Sequence, residues 1–184
     1  MHALLDIAVR VLAQLEGVLN GIDASQYTRI SAQPPHSSIS KHVRHLLDRF
    51  EMVLGALSRP YDPSRPLDLD NVPKDRAVQF DLDAAKRKLG ALIRETESIA
   101  ERERSGGDSV LQRSTSVAIH AHADIAGDAP VIVNSTLARE LHFVIVHAIH
   151  HYALIRVIVE GEMGIAVSEE FGRGWTTQRR DSKL

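Results

Sequence analysis

The sequence predicts an all-α protein: a four-helix bundle with long crossover connections and a small β-hairpin before the last helix. Three observations point there. Four stretches of roughly 20 residues place apolar side chains at spacings of three and four, Pro- and Gly-rich connections separate them, and one window drops to a period of two. The first helix runs from about residue 3 to about 22, with Leu5, Ala8, Leu12, Leu15, Leu19 and Ile22 on its apolar stripe. GIDASQYTRISAQPPHSS then forms a long connection, because Pro34-Pro35 cannot sit inside a helix. Ser37 or Ser38 caps the second helix, whose stripe of Ile39, Val43, Leu46, Phe50, Val53 and Leu57 ends before Pro60.

The Pro-rich segment YDPSRPLDLDNVP is irregular, and a third helix starts near Asp81 or Asp83 and ends in ERERSGG. Between Ser116 and Ser135, SVAIHAHAD alternates, DIAGDAP turns and PVIVNS is β-branched, which together predict the hairpin. The fourth helix begins at Ser135 or Thr136 and continues to Glu160, with Gly161 as its natural stop. It is apolar almost all round, the pattern of a buried helix. Residues 1–165 are expected to form the bundle domain, and 166–184 an extended arm pinned by Phe171 and Trp175.

Composition narrows the function. Twenty-two Lys+Arg against 24 Asp+Glu, with no basic cluster, give no field to hold a polyanion, so nucleic acid is not an expected partner. The absence of Cys removes thiolate ligands and Cys nucleophiles and leaves nitrogen and oxygen chemistry. MHALLDIAVR carries Asp6 and Arg10 within its apolar stretch and lacks a basic start, which argues against a signal peptide. The most apolar run, Phe143 to Val159, contains three His and Arg156, which argues against a membrane span. A cytoplasmic protein with no membrane partner is expected.

His is the unusual residue, with ten in the chain. The second helix carries His42 and His45, and the fourth carries His142, His147, His150 and His151. His147 and His151 are four apart, so their rings share a face and can reach one ion, whereas His150 points elsewhere. A lone buried His is ordinarily satisfied by a backbone carbonyl, a water or a neighbour such as Tyr152. A pair on an apolar helix has more to gain: an unpaired buried imidazole costs on the order of 1–3 kcal/mol, and metal coordination returns on the order of 10 kcal/mol. A third imidazole from a facing helix would complete a three-His site with an open position.

Rival motifs fail on inspection. His147-Ala-Ile-His-His151 has the two-His spacing of a zincin helix, but Ala148 stands where the catalytic Glu would be. Glu-x-x-His, the di-iron bundle signature, does not occur, nor does a dinucleotide loop, a phosphate loop or a hydrolase elbow.

Ser38-Ile-Ser-Lys-His-Val-Arg-His45-Leu-Leu-Asp48 and His147-Ala-Ile-His-His151 resemble the second-helix Ser…His-Leu-x-Asp and fourth-helix His-x-x-x-His patterns of the DinB/YfiT-like superfamily. The two windows cover 16 residues, so they speak to fold more than to activity. The resemblance implies a DinB-like bundle holding one divalent ion (zinc, nickel or iron) through His45, His147 and His151, and a homodimer. It also implies chemistry such as thiol S-transfer on a small-molecule substrate with a thiol cosubstrate, or hydrolysis. Amphipathicity points differently within the second helix: His42 lies about 40° from Leu46 and His45 about 100° away, which favours His42 as the inward ring. His42 is otherwise a helix-edge residue or a donor to a ligand.

Glu140 shares a side of the fourth helix with Val144, His147 and His151; it is expected to be a solvated first-turn acid, the alternative being a residue that orients a ligand or acts as a base at the site mouth. His120 and His122 share a strand face and are expected at the surface. Arg173 and Trp175 could cover a pocket or simply pin the arm. Two functional readings follow: a metal-dependent transferase or hydrolase without an identifiable general base, or a non-catalytic dimerisation module that binds a metal or a small ligand.

Overall fold

The computed structural model describes residues 2–59, 62, 66–105, 116–121 and 131–174. Four long helices are present: α1 (His2–Asn20), α3 (Ile39–Ser58), α5 (Leu82–Arg104) and α6 (Leu137–Met163). Two single-turn helices, α2 (Ala24–Thr28) and α4 (Arg76–Phe80), sit in the connections, and β1 (Ser116–Ala121) pairs with β2 (Val131–Thr136). The long helices pack in a ring, α1 on α5, α5 on α3, α3 on α6 and α6 on α1. Consecutive helices α1 and α3 therefore lie diagonally, as do α5 and α6. The diagonal placement of α1 and α3, joined through α2, and of α5 and α6 is the crossover topology expected from the long connections.

Local chemistry sets the helix starts. Ser38 Oγ accepts the Lys41 amide at 3.2 Å, Asp81 accepts the Asp83 amide at 2.8 Å, and Thr136 Oγ1 accepts the Arg139 amide at 3.2 Å. Asp23 and Gln26 close a reciprocal capping box on α2, and Asp75 accepts the Val78 amide to start α4. Neither short helix is visible as periodicity. The predicted stop at Gly161 is corrected: α6 runs on to Met163, and Gly164 ends it in the left-handed conformation at φ 66°.

The hairpin is antiparallel, with Ser116 opposite Thr136 and Ala121 opposite Val131. Its predicted turn, including His122, lies outside the described residues. Leu67 bridges to β1, donating its amide to Ala118 O at 2.8 Å and accepting from His120 at 3.0 Å. That ties the α3–α4 connection, and Asp70 within it, to the hairpin. His120 is half-buried, with Nδ1 3.8 Å from Asp68.

The arm after α6 folds back over it. Phe171 is fully buried and stacks on Tyr152 with ring centroids 4.6 Å apart, and Arg156 donates to the carbonyls of Glu169 and Phe171. Gly172 has φ 72°, and a Cβ there would lie 2.7 Å from the Ala153 nitrogen, so only glycine permits this approach. Trp175 lies outside the described residues.

The expectation that α6 is buried all round is corrected. Leu141, Val144, Ala148, Tyr152 and Ile155 are buried, but Val146 and Val157 are 50% and 52% exposed. Val146 and Ile149 join Leu4, Ile7 and Val11 of α1 along an apolar groove of about 820 Å³. Among the described residues α6 is the one helix long and apolar enough to cross a membrane by length and composition. Its buried side packs on α1 and α3.

Candidate metal centre

α3 and α6 are neighbours in the ring, and their facing sides bring four imidazoles together. His45 Nε2 lies 3.0 Å from His147 Nε2, and His151 Nε2 lies 3.1 Å from the same atom. One ligand nitrogen from each of His45, His147 and His151 lies within 4.8 Å of the others. A tetrahedral ion with bonds of about 2.0–2.1 Å spaces its nitrogen ligands about 3.4 Å apart, so the cluster is within a small side-chain adjustment of ligation. All three residues are half-buried, so the cluster is not wholly enclosed.

Donor chemistry supports a cation here. An imidazole nitrogen offers either one N–H or one lone pair, so His147 Nε2 cannot make two full hydrogen bonds to His45 and His151 at once. A cation at the centre takes all three lone pairs and removes the conflict. Each ligand then carries its proton on Nδ1, and that fixes the next contact. His151 Nδ1 lies 2.9 Å from His42 Nδ1. With His151 ligating through Nε2, its Nδ1–H donates and His42 accepts, which orients the His151 ring. Phe143 stacks on His147 at 5.5 Å and fixes a second ring.

The structure thus brings together the three residues implied by the resemblance and sets His42 behind them, 7% exposed. His142 and His150 are exposed. Glu140 departs from expectation: it is buried, and the Ser135 hydroxyl donates to it. One charged residue near the cluster escaped the sequence reading. Arg49, one turn beyond His45, is 8% exposed and pairs with Asp70 at 3.3 Å. Asp48 is buried between Arg44 and Lys88. Asp48 falls within the family-like window, whereas the only available signal for Arg49 was its spacing from His45, which ordinary helix-surface charges share.

Burial holds the imidazoles neutral. It pulls His45 and His147 down to about 4, helped by the Arg49 guanidinium, and His151 down to about 3, helped by His147 and His45. His42 is lowered by burial and by His150. Neutral rings are the form that ligates. In metal-free protein the unfolded chain, with His near 6.5, binds more protons than the folded one between pH 6.5 and about 4. Stability therefore falls as pH drops through that window. Discounted for partial exposure, the loss is about 1 kcal/mol per ring. Urea unfolding of metal-free protein at pH 7 and pH 4.5 measures it; a His147→Ala/His151→Ala double variant should show a shallower slope, and an unchanged slope would contradict the assignment.

No curated protein matches this chain. A family model described as the DinB superfamily matches residues 8–155, a span that takes in most of α1, all of α3 and α5, and the four clustered His. With a match over most of its length and the helical fold and hairpin in place, the chain belongs to the DinB superfamily.

Proposed function

We propose that the protein is a metal-dependent enzyme in which His45, His147 and His151 hold one divalent ion and a small-molecule substrate reaches it from the open side of the cluster. The observation that carries this reading is the convergence of three neutral imidazole nitrogens, from two helices, on one half-buried point. A divalent ion held there supplies Lewis acidity and lowers the pKa of a coordinated water or thiol. The chain's own part is positional: His42 and Phe143 fix two rings, and burial keeps all three neutral. With no Cys in the sequence, the sulfur for an S-transfer must come from a thiol cosubstrate. Zinc, nickel and iron all suit imidazole ligands.

Protein expressed with ample zinc, nickel and iron is expected to retain about one divalent ion per chain, and to turn over members of a panel of thiols with electrophiles or hydrolysable esters. Metal-free protein from such expression would refute the reading. Stoichiometric metal with silence across the panel would favour a non-catalytic ligand-binding module. The observation on that side is the all-His composition of the metal-holding cluster found among the described residues, with no carboxylate to act as general base.

We further infer a homodimer through the α1–α6 groove. Its apolar lining shares no residue with the His cluster, and a contiguous exposed apolar face of this kind marks an association surface. Sedimentation is expected to give a dimer for the wild type and a monomer for Val146→Glu; a monomeric wild type would remove the inference.

A further inference from the structure

Two guanidinium groups act on the His cluster: Arg44, which is tied to Asp48, and Arg49. Arg49 is the one whose charge reaches both His45 and His147 among the described residues. It lies on α3 four residues beyond His45, and hence on the same face one turn along. Its guanidinium is nearly buried yet makes one hydrogen bond among the described residues, NH2 to Asp70 Oδ1 at 3.3 Å. A guanidinium has five N–H donors, and the rest of these are not sealed away: Arg44 Nε is the only occluded side-chain polar atom without a partner among the described residues. The Asp70 side chain is 44% exposed, on the irregular segment that Leu67 anchors to the hairpin. Added to burial, the charge on Arg49 lowers the pKa of both His45 and His147, and that of Asp70 opposes it at His147, in keeping with the position of Arg49 one helical turn past His45. Burial pulls the Arg49 pKa below its usual value even though Asp70 opposes the shift, the mark of a cation whose lost hydration one partner does not replace.

Three neutral imidazoles and a divalent ion make a site of net charge +2, and one helical turn along Arg49 adds a fork-shaped donor with one of its five N–H groups engaged among the described residues. We propose that Arg49 is the specificity residue of this site, receiving a carboxylate of the substrate or cosubstrate while the ligand's reactive end faces the three His. Asp70 holds the guanidinium in place and competes with the incoming carboxylate. A bidentate guanidinium–carboxylate pair gives both the charge match and a fixed orientation. The inference rests on the proposed metal centre and adds the chemical class of what binds there.

Cobalt(II)-loaded protein tests it without turnover, because a thiol probe that binds the ion changes the visible spectrum. Titration with 3-mercaptopropionate and 2-mercaptoethanol compares an acidic with a neutral tail. Wild type is expected to prefer the acidic probe by about tenfold, and Arg49→Gln to bind both alike with an unchanged cobalt content. Asp70→Asn keeps an amide oxygen to accept from the guanidinium at a side chain that is 44% exposed, and is expected to strengthen the acidic probe several-fold and leave the neutral one unmoved. That second variant decides the matter should Arg49→Gln fail to fold. Equal affinities in wild type, or a preference untouched by both substitutions, would overturn the role of Arg49 while leaving the metal centre standing. Failure of wild type to bind cobalt would overturn the centre itself and this inference with it.

Discussion

Replacing His147 with Ala is expected to cost the protein its metal. His147 Nε2 is the atom nearest to both other ring nitrogens, at 3.0 Å and 3.1 Å, so its loss leaves His45 and His151 without their common neighbour. Coordination by a full ligand set is worth on the order of 10 kcal/mol, so one ligand accounts for about 3 kcal/mol, or on the order of a hundredfold in affinity. Competition against a chelator of known affinity, with elemental analysis of the dialysed protein, measures this. His45→Ala and His151→Ala should behave alike. His42→Ala should fall short of them, by about tenfold in affinity, since it removes only the acceptor that orients His151. A His42→Ala loss equal to that of His147→Ala would make His42 a ligand, and full retention of metal in His147→Ala would dissolve the centre. The folded state should survive, because the ring is half-buried and its removal leaves no sealed cavity.

The same four His show how far sequence reasoning reaches. The i, i+4 pair on α6 was legible because helical geometry alone makes the two rings neighbours. The partner on α3 was not. Amphipathicity ranks positions by burial, and it favoured His42, which is indeed the more buried ring. An open metal centre, however, needs rings at the edge of the core, where a substrate can arrive, and His45 sits at that edge. The family pattern pointed to His45, the ring whose Nε2 lies 3.0 Å from His147 Nε2, and the proposed centre takes its α3 ligand from that pattern.

Elements follow a similar division. Long helices announce themselves through three or more turns of apolar stripe, and Ser38, Asp81 and Thr136 mark their starts because few residues can satisfy the first free amides. The five-residue helices α2 and α4 offer too few residues for a stripe, although Asp23 and Gln26 form a capping box that sequence could have suggested. Gly161 misled because a glycine is permitted inside a helix; what ends α6 is Gly164, whose left-handed φ depends on the path of the following arm. An apolar-all-round pattern likewise cannot separate a face buried in the core from one left outside it, which is why Val146 and Val157 were misplaced.

Asp48→Ala is expected to destabilise the protein by about 3 kcal/mol while leaving the metal content of the folded fraction unchanged. The aspartate falls inside the α3 window that resembles the family pattern, three residues past His45, and could be taken for a ligand. Its contacts are otherwise. The carboxylate is 2% exposed, with Lys88 Nζ at 2.9 Å, Arg44 at 3.3 Å and the Asp75 amide donating at 3.3 Å. It therefore joins α3 to α5 and to the N-cap of α4. Removing one partner of a buried ion pair leaves the other charge uncompensated, which costs about 3–5 kcal/mol. The lower end applies because Lys88 keeps Glu51 at 2.9 Å and Asp75 at 3.2 Å. Burial alone would pull the Lys88 pKa down, yet it is raised, because hydrogen bonds to Glu51 and Asp48 outweigh the desolvation. Urea unfolding of metal-free wild type and variant isolates the structural effect from metal linkage, since bound metal would add its own stabilisation to the folded state. A loss below about 1 kcal/mol would place Asp48 among ordinary surface ion pairs. Metal loss at full stability would instead move Asp48 into the ligand set.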